Sequence, residues 1–165
     1  MNSSLSCELF ACDPHGVYRP ATETEITERA LVLLRAAITH GPTLSDPGVV
    51  TNYLKLRLAR LEHEVFGMVA LDTKHRVIDL MQLSSGTIDA ATVYAREVVK
   101  TCLRLNAAAV IFYHNHPSAD PTPSSADRAI TKRLQDALAL VDIRVLDHFI
   151  IGGDCVLSFA RDGLL

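Results

Sequence analysis

At 165 residues the chain has room for one domain with a full hydrophobic core and not for two comfortable ones. Apolar residues make up 48% of it and charged residues 21%, a globular composition that excludes a disordered chain. The formal net charge of −3 gives no electrostatic basis for nucleic acid or an anionic membrane as the main partner.

No apolar run reaches the roughly 18 residues that a transmembrane helix needs. Residues 1–16 have no basic region followed by an apolar stretch, so no secretion signal is expected. The cysteines form no disulfide framework, and the expected location is the reducing cytoplasm. Cys102 and Cys155 fall in apolar segments, where a free thiol serves as a small hydrophobe. Cys7-x4-Cys12-x2-His15 lacks a nearby fourth ligand and reads as an ordinary terminus.

In chain order, the first 20 or so residues read as irregular. A helix follows, with Thr22 or Thr24 as its cap and Ile26, Ala30, Leu33, Leu34 and Ala37 on one face, closed by Gly41-Pro42. A second helix starts near Ser45-Asp46-Pro47 and carries Val49, Val50, Tyr53, Leu54 and Leu58 inward. Residues 1–60 therefore read as a helical extension to a domain spanning 61–165. From Glu64 to Leu71 the chain is apolar on both alternating faces, as a buried central strand is. A polar turn at 72–75 leads to a strand from Val77 to Leu83, and Ser84 to Thr87 is a loop. Val93 to Leu105 is a helix with Val98, Val99, Cys102 and Leu103 inward. Ala107 to Tyr113 is a core strand, and the proline-rich loop 117–123 leads into a helix from Ser124 to about Leu140. Arg128, Lys132 and Arg133 lie on that helix at the spacing of a solvated face. Strands from Ile143 to Ile151 and from Cys155 to Phe159 complete one mixed sheet in a layered α/β domain.

The stretch from Tyr113 to Asp127 carries the chemistry. His114 and His116 stand two apart where a strand ends, so strand alternation sends both imidazoles to one face. Asp127 falls in the first turn of the next helix, placed to add a carboxylate. Two histidines and one carboxylate leave a fourth position open, as in catalytic zinc sites. Ser124-x-x-Asp127 is also close to a capping box, a role compatible with metal binding. Asp147-His148, on a core strand, reads either as support behind the metal ligands or as a buried structural pair.

The pattern H-x-H-x7-S-x2-D resembles the metal signature of the JAB/MPN (JAMM) metalloprotease fold. His-Asn-His-Pro-Ser at 114–118, with Leu146-Asp147-His148 and Ile151-Gly152 downstream, is similar to its bacterial RadC branch. The likeness runs from about Leu61 to Leu165 and implies a cytidine-deaminase-like three-layer fold. It implies one zinc on His114, His116 and Asp127, a glutamate of the first core strand as general acid/base, and Ser124 as stabiliser of the tetrahedral intermediate. Glu62 and Glu64 both lie near that strand; Glu64 directly precedes Val65-Phe66, matches the family position and has the more apolar surroundings. Members of the branch usually carry glycine after His-Pro-Ser, where this chain has Ala119. If that position needs positive φ, alanine costs about 1 kcal/mol.

The resulting expectation is a zinc metallopeptidase acting on a peptide or isopeptide bond of a protein substrate. The alternative is a DNA-repair or recombination accessory protein, the role that the RadC name implies. Longer members carry a helix-hairpin-helix DNA-binding region, whereas residues 1–60 are too short and lack its glycine-centred hairpin. Direct nucleic-acid binding is therefore not carried over. The apolar faces of the helices in 22–60 serve a homodimer as easily as the core.

Overall fold

The computed structural model describes residues 9–40, 47–86 and 93–165. Cys7, Gly41-Pro42, Ser45-Asp46 and Thr87 lie outside these residues. A five-stranded mixed sheet runs in the order β4 (Val77–Ser85), β3 (Val65–Leu71), β5 (Ala109–Asn115), β6 (Arg144–Gly152), β7 (Cys155–Ser158). The β5–β6 pair is parallel and the other pairs are antiparallel. Helices α1 (Glu23–His40) and α2 (Pro47–Leu58) cover one face, and α3 (Ala95–Arg104) and α4 (Ser125–Ala139) cover the other. This is a three-layer α/β arrangement.

Alternation along the central strands assigns each side chain to a layer. Val65, Val69 and Leu71 of β3, with Ile111 and Tyr113 of β5, join Val50, Tyr53, Leu54 and Leu58 of α2. Phe66, Met68 and Ala70, with Val110 and Phe112, join Val98, Cys102, Leu134 and Leu138 of α3 and α4. All seven residues of β3 and all seven of β5 are buried, as the unbroken apolar runs require. The core runs through residue 61 without a break, because α2 supplies one wall of it. Among the described residues no helix is long and apolar enough to cross a membrane.

Several elements differ from the sequence reading. The N-terminal segment is not wholly irregular: Phe10–Cys12 (β1) and Tyr18–Pro20 (β2) pair as a small hairpin. Its turn is organised by the Asp13 carboxylate, which accepts from the His15 and Val17 N–H groups. Helix α1 is capped at Thr22 by a reciprocal bond pair with Glu25. Its inward stripe is Leu31, Leu34 and Ile38, so Ile26, Leu33 and Ala37 lie exposed, one step round the helix. Leu103 is also exposed, because α3 packs through the Val98–Cys102 line. Cys155 is exposed because it opens an edge strand.

Register between β5 and β6 slips by one residue: Val110 pairs with Val145, but Ile111 pairs with Asp147. This bulge at Leu146 reverses the faces of everything after it. It turns Asp147 toward the α2 side, where its carboxylate accepts from Ser158 Oγ at 2.6 Å and the Ala160 N–H at 3.0 Å. It turns His148 toward α4. The two residues read together from sequence thus lie on opposite sides of the sheet, and Asp147 fastens the chain beyond β7.

Gly67 in mid-β3 lies under the Tyr113 ring, whose hydroxyl donates to the Met81 carbonyl at 2.9 Å. A Cβ at Gly67 would stand 2.2 Å from the ring and 2.6 Å from that carbonyl. Gly67→Ala is therefore expected to lower unfolding free energy by about 2–3 kcal/mol in urea titration, in the upper range for overpacking. An unchanged midpoint would show that the ring yields freely.

Candidate metal centre

The site forms where β5 runs out against the start of α4. His114 is the penultimate residue of β5 and His116 follows its end. Their rings lie 4.8 Å apart between centroids and their Nε2 atoms 2.9 Å apart. Asp127 sits in the first turn of α4, wholly buried, with Oδ1 3.2 Å from His114 Nε2 and Oδ2 3.4 Å from His116 Nε2. A cation bonded tetrahedrally at about 2.0–2.1 Å requires ligand atoms roughly 3.3 Å apart; the 3.2 Å from Oδ1 to His114 Nε2 matches this, and the two Nε2 atoms at 2.9 Å stand somewhat closer. Among the described residues these three form the one group of His, Cys, Asp or Glu side chains able to share an ion. Cys12 and His15 are exposed on the N-terminal hairpin and take no part.

Each of the three side chains is oriented from behind. His116 Nδ1 donates to the Asp120 carbonyl at 2.7 Å, which aims Nε2 at the site. His114 Nδ1 lies 2.8 Å from Nε2 of the buried His148. Asp127 Oδ2 accepts from the Ser124 N–H and hydroxyl, both at 2.7 Å, while the Asp127 N–H donates to Ser124 Oγ at 3.1 Å. The capping box expected from sequence is thus present and holds the carboxylate. Oδ1 is left over: among the described residues it is the one buried side-chain polar atom without a hydrogen bond. A buried carboxylate oxygen 3.2 Å from one imidazole nitrogen, with a second imidazole nitrogen 2.9 Å from the first, fits a cation, because no hydrogen bond compensates its desolvation.

Electrostatics agree. Burial pushes the Asp127 carboxyl upward, and its interactions with the neighbouring His114, His116 and Ser124 side chains outweigh it, so its pKa falls well below the usual range. His116 is raised, chiefly by Asp127, with opposition from burial and help from the Asp120 carbonyl and the Glu64 charge. Burial holds His148 well below an ordinary histidine, with His114 adding to the effect.

Glu64 immediately precedes β3, half-buried, and its charge is felt at His116. Glu62 is exposed. Sequence reasoning missed Asn115, which alternation turns away from the imidazoles. Its Oδ1 accepts from the Val65 N–H at 2.8 Å and its Nδ2 donates to the His63 carbonyl at 3.0 Å, so one amide grips the backbone on both sides of Glu64. Thr131 was missed too, although its i+4 spacing from Asp127 puts it on the same face of α4. Its hydroxyl donates to the Asp127 carbonyl and lies 2.6 Å from His148 Nδ1.

The loop that carries Asp120 rests on Gly152, where a Cβ would meet the Ala119 carbonyl at 2.7 Å and Pro121 N at 2.5 Å. Within it Ala119 has φ +63°, the left-handed conformation that its sequence position raised as a question. Ala119→Gly is expected to stabilise the protein by about 0.5 kcal/mol. Relief of roughly 1–2 kcal/mol of strain exceeds the roughly 0.4–1 kcal/mol that glycine adds to unfolded-chain entropy. A lower denaturation midpoint would contradict this. For metal binding, the raised pKa of His116 sets the sign: below it the imidazolium must lose a proton before it can ligate. Zinc affinity measured by chelator competition is expected to fall on acidification, by about tenfold per pH unit for each proton displaced. The fall should begin at higher pH than for a histidine of ordinary pKa. Affinity flat down to acid pH would exclude His116 as a ligand.

Known proteins resemble this chain over most of its length. Residues 44–164 match the family model described as a RadC-like JAB domain. A UPF0758 protein of Vibrio cholerae is 52% identical over 88% of this chain and 91% of its own length. A UPF0758 protein of Leptothrix cholodnii is 46% identical over 95% of this chain and 74% of its own. One of Xanthomonas axonopodis pv. citri is 49% identical over 92% and 66%. With a family match across most of its length and relatives near half identity, the chain belongs to the RadC-like JAB domain family.

Proposed function

We propose that the protein is a zinc-dependent hydrolase of peptide or isopeptide bonds. The observation that carries this reading is the convergence of His114, His116 and the unpartnered Asp127 Oδ1 beside Glu64, a metal cradle with a carboxylate at its edge. Two histidines and one carboxylate leave the open position of a catalytic site, whereas structural zinc sites are closed by four protein ligands. Zinc bound there supplies Lewis acidity, polarising a carbonyl and making water nucleophilic near neutral pH.

The chain's own residues supply the proton transfers. Glu64 takes the proton from the attacking water and delivers it to the leaving amine, the work of a single general acid/base. The Asn115 clamp holds the backbone to either side of Glu64, which fixes where that carboxylate starts from. Ser124 contributes in two ways. Its backbone N–H and hydroxyl hold Asp127 Oδ2, leaving Oδ1 for the cation. The hydroxyl proton can turn from Oδ2 to a developing oxyanion while Oγ still accepts from the Asp127 N–H, since that bond uses an oxygen lone pair. His148 supports His114 from behind the ligand set. A protein or peptide is the proposed partner, and the cytoplasm the proposed location. The residues on α4 of the basic strip, Arg128, Lys132 and Arg133, are exposed, and Lys132 pairs with Asp136.

The test is hydrolysis of a mixed peptide and isopeptide library by zinc-loaded wild type and by Glu64→Gln. Wild type is expected to cleave a subset. Glu64→Gln should bind zinc equally well and lose about 10²–10⁴-fold in turnover, the usual contribution of general acid–base catalysis. No cleavage by zinc-loaded wild type, or equal cleavage by the variant, would contradict the reading.

A further inference from the structure

Behind the metal cradle the hydrogen bonds form a chain whose direction is dictated by one threonine. Thr131 Oγ1 has a single proton. It lies against the Asp127 carbonyl and also 2.6 Å from His148 Nδ1. A carbonyl oxygen only accepts, so the threonine proton goes to Asp127 and Oγ1 must accept from His148 Nδ1–H. His148 is fully buried, with the rings of Phe66, Phe112 and Phe159 at 5.4, 6.2 and 4.9 Å. The hydrogen-bond partners of His148 in that apolar box are an imidazole and a hydroxyl, with no carboxylate to balance an imidazolium, so the ring is neutral and its Nε2 carries a lone pair. That lone pair, 2.8 Å from His114 Nδ1, accepts the His114 Nδ1–H. The remaining nitrogen of His114, Nε2, is therefore unprotonated, and it is the atom 3.2 Å from Asp127 Oδ1.

We propose that Thr131 is a positioning residue of the metal centre, its hydroxyl setting the direction of the Thr131–His148–His114 chain so that His114 presents a bare Nε2 to the cation. The proposal rests on the metal reading of the site and adds the source of its histidine tautomer. Without the hydroxyl, His148 Nδ1–H has no acceptor and its ring is free to take the opposite tautomer. His148 Nε2–H would then donate to His114 Nδ1, move the His114 proton to Nε2 and block the ligand atom. The chain also closes on itself: Asp127 offers its carboxylate to the site and its main-chain carbonyl, through Thr131 and His148, to the ligand opposite.

The experiment compares the full chain as wild type, Thr131→Val and Thr131→Ser. Valine keeps the shape without the hydroxyl, and serine keeps the hydroxyl. Two readouts are taken: imidazole nitrogen shifts in the metal-free protein by long-range proton–nitrogen correlation, and zinc affinity by chelator competition. Wild type is expected to show His114 and His148 each protonated at Nδ1. Thr131→Val should show a mixture or the reversed form and bind zinc about 10–100-fold more weakly, as loss of outer-shell partners does. Thr131→Ser should restore both. Thr131→Ala replaces valine if valine disturbs the thermal melt. A Thr131→Val protein with wild-type nitrogen shifts and wild-type zinc affinity would overturn the proposal, as would a serine variant that rescues neither. Wild type that binds no zinc would instead refute the metal reading, and its nitrogen shifts would still decide whether the chain has the stated direction.

Discussion

A carboxylate that is wholly buried and keeps one oxygen without a donor is the constraint around which this molecule is arranged. Asp127 sits in the first turn of α4, where the helix dipole and the Ser124 cap stabilise negative charge. Those contacts occupy Oδ2 and leave Oδ1 facing the His114 imidazole, with His116 nearest to Oδ2. Without a cation, compensation must come from a proton on His116, and its raised pKa records that tendency. With a cation, each ring keeps its Nδ1 proton for an acceptor behind it: the Asp120 carbonyl for His116, His148 for His114. Metal and proton are thus alternative answers to one electrostatic problem.

The fold serves this arrangement by bringing three segments to the end of β5. The strand itself carries His114 and His116, α4 brings Asp127, and the segment before β3 brings Glu64 through the antiparallel β3–β5 pairing of Phe66 with His114. Asn115, between the two histidines, completes that pairing with its side chain where the backbone ladder stops. The loop from His116 to Asp120 lies so close to Gly152 that no side chain fits beneath it. Tight packing on the far side of the site therefore sets the direction of His116. A small displacement of that loop, which includes the positive-φ backbone of Ala119, would re-aim His116.

Most of the fold was legible from apolar periodicity. The two seven-residue runs of β3 and β5 are continuous enough that burial on both faces follows from composition. The convergence of His114, His116 and Asp127 was legible because H-x-H at a strand end and a carboxylate in the next helix turn are local features with fixed geometry. Three things were not. The faces of Asp147 and His148 depend on a bulge at Leu146, and nothing in Arg-Val-Leu-Asp-His announces an extra residue in a parallel ladder. The inward stripe of α1 depends on where α2 and the sheet edge lie, so Leu33 and Leu34 are interchangeable by sequence alone. Thr131 and Asn115 are ordinary polar residues whose partners are distant in sequence or lie in the main chain, and spacing patterns carry no signal for them beyond the i+4 relation of Thr131 to Asp127.

The central claim is that a metal ion is held by two imidazoles and one carboxylate. X-ray absorption at the zinc edge of the purified, zinc-loaded chain tests it most directly. The account requires a shell of nitrogen and oxygen at about 2.0–2.1 Å, outer-shell scattering from two imidazoles, and no sulfur at about 2.3 Å. A sulfur shell would place zinc on cysteine instead, and scattering from fewer than two imidazoles would contradict the ligand set outright.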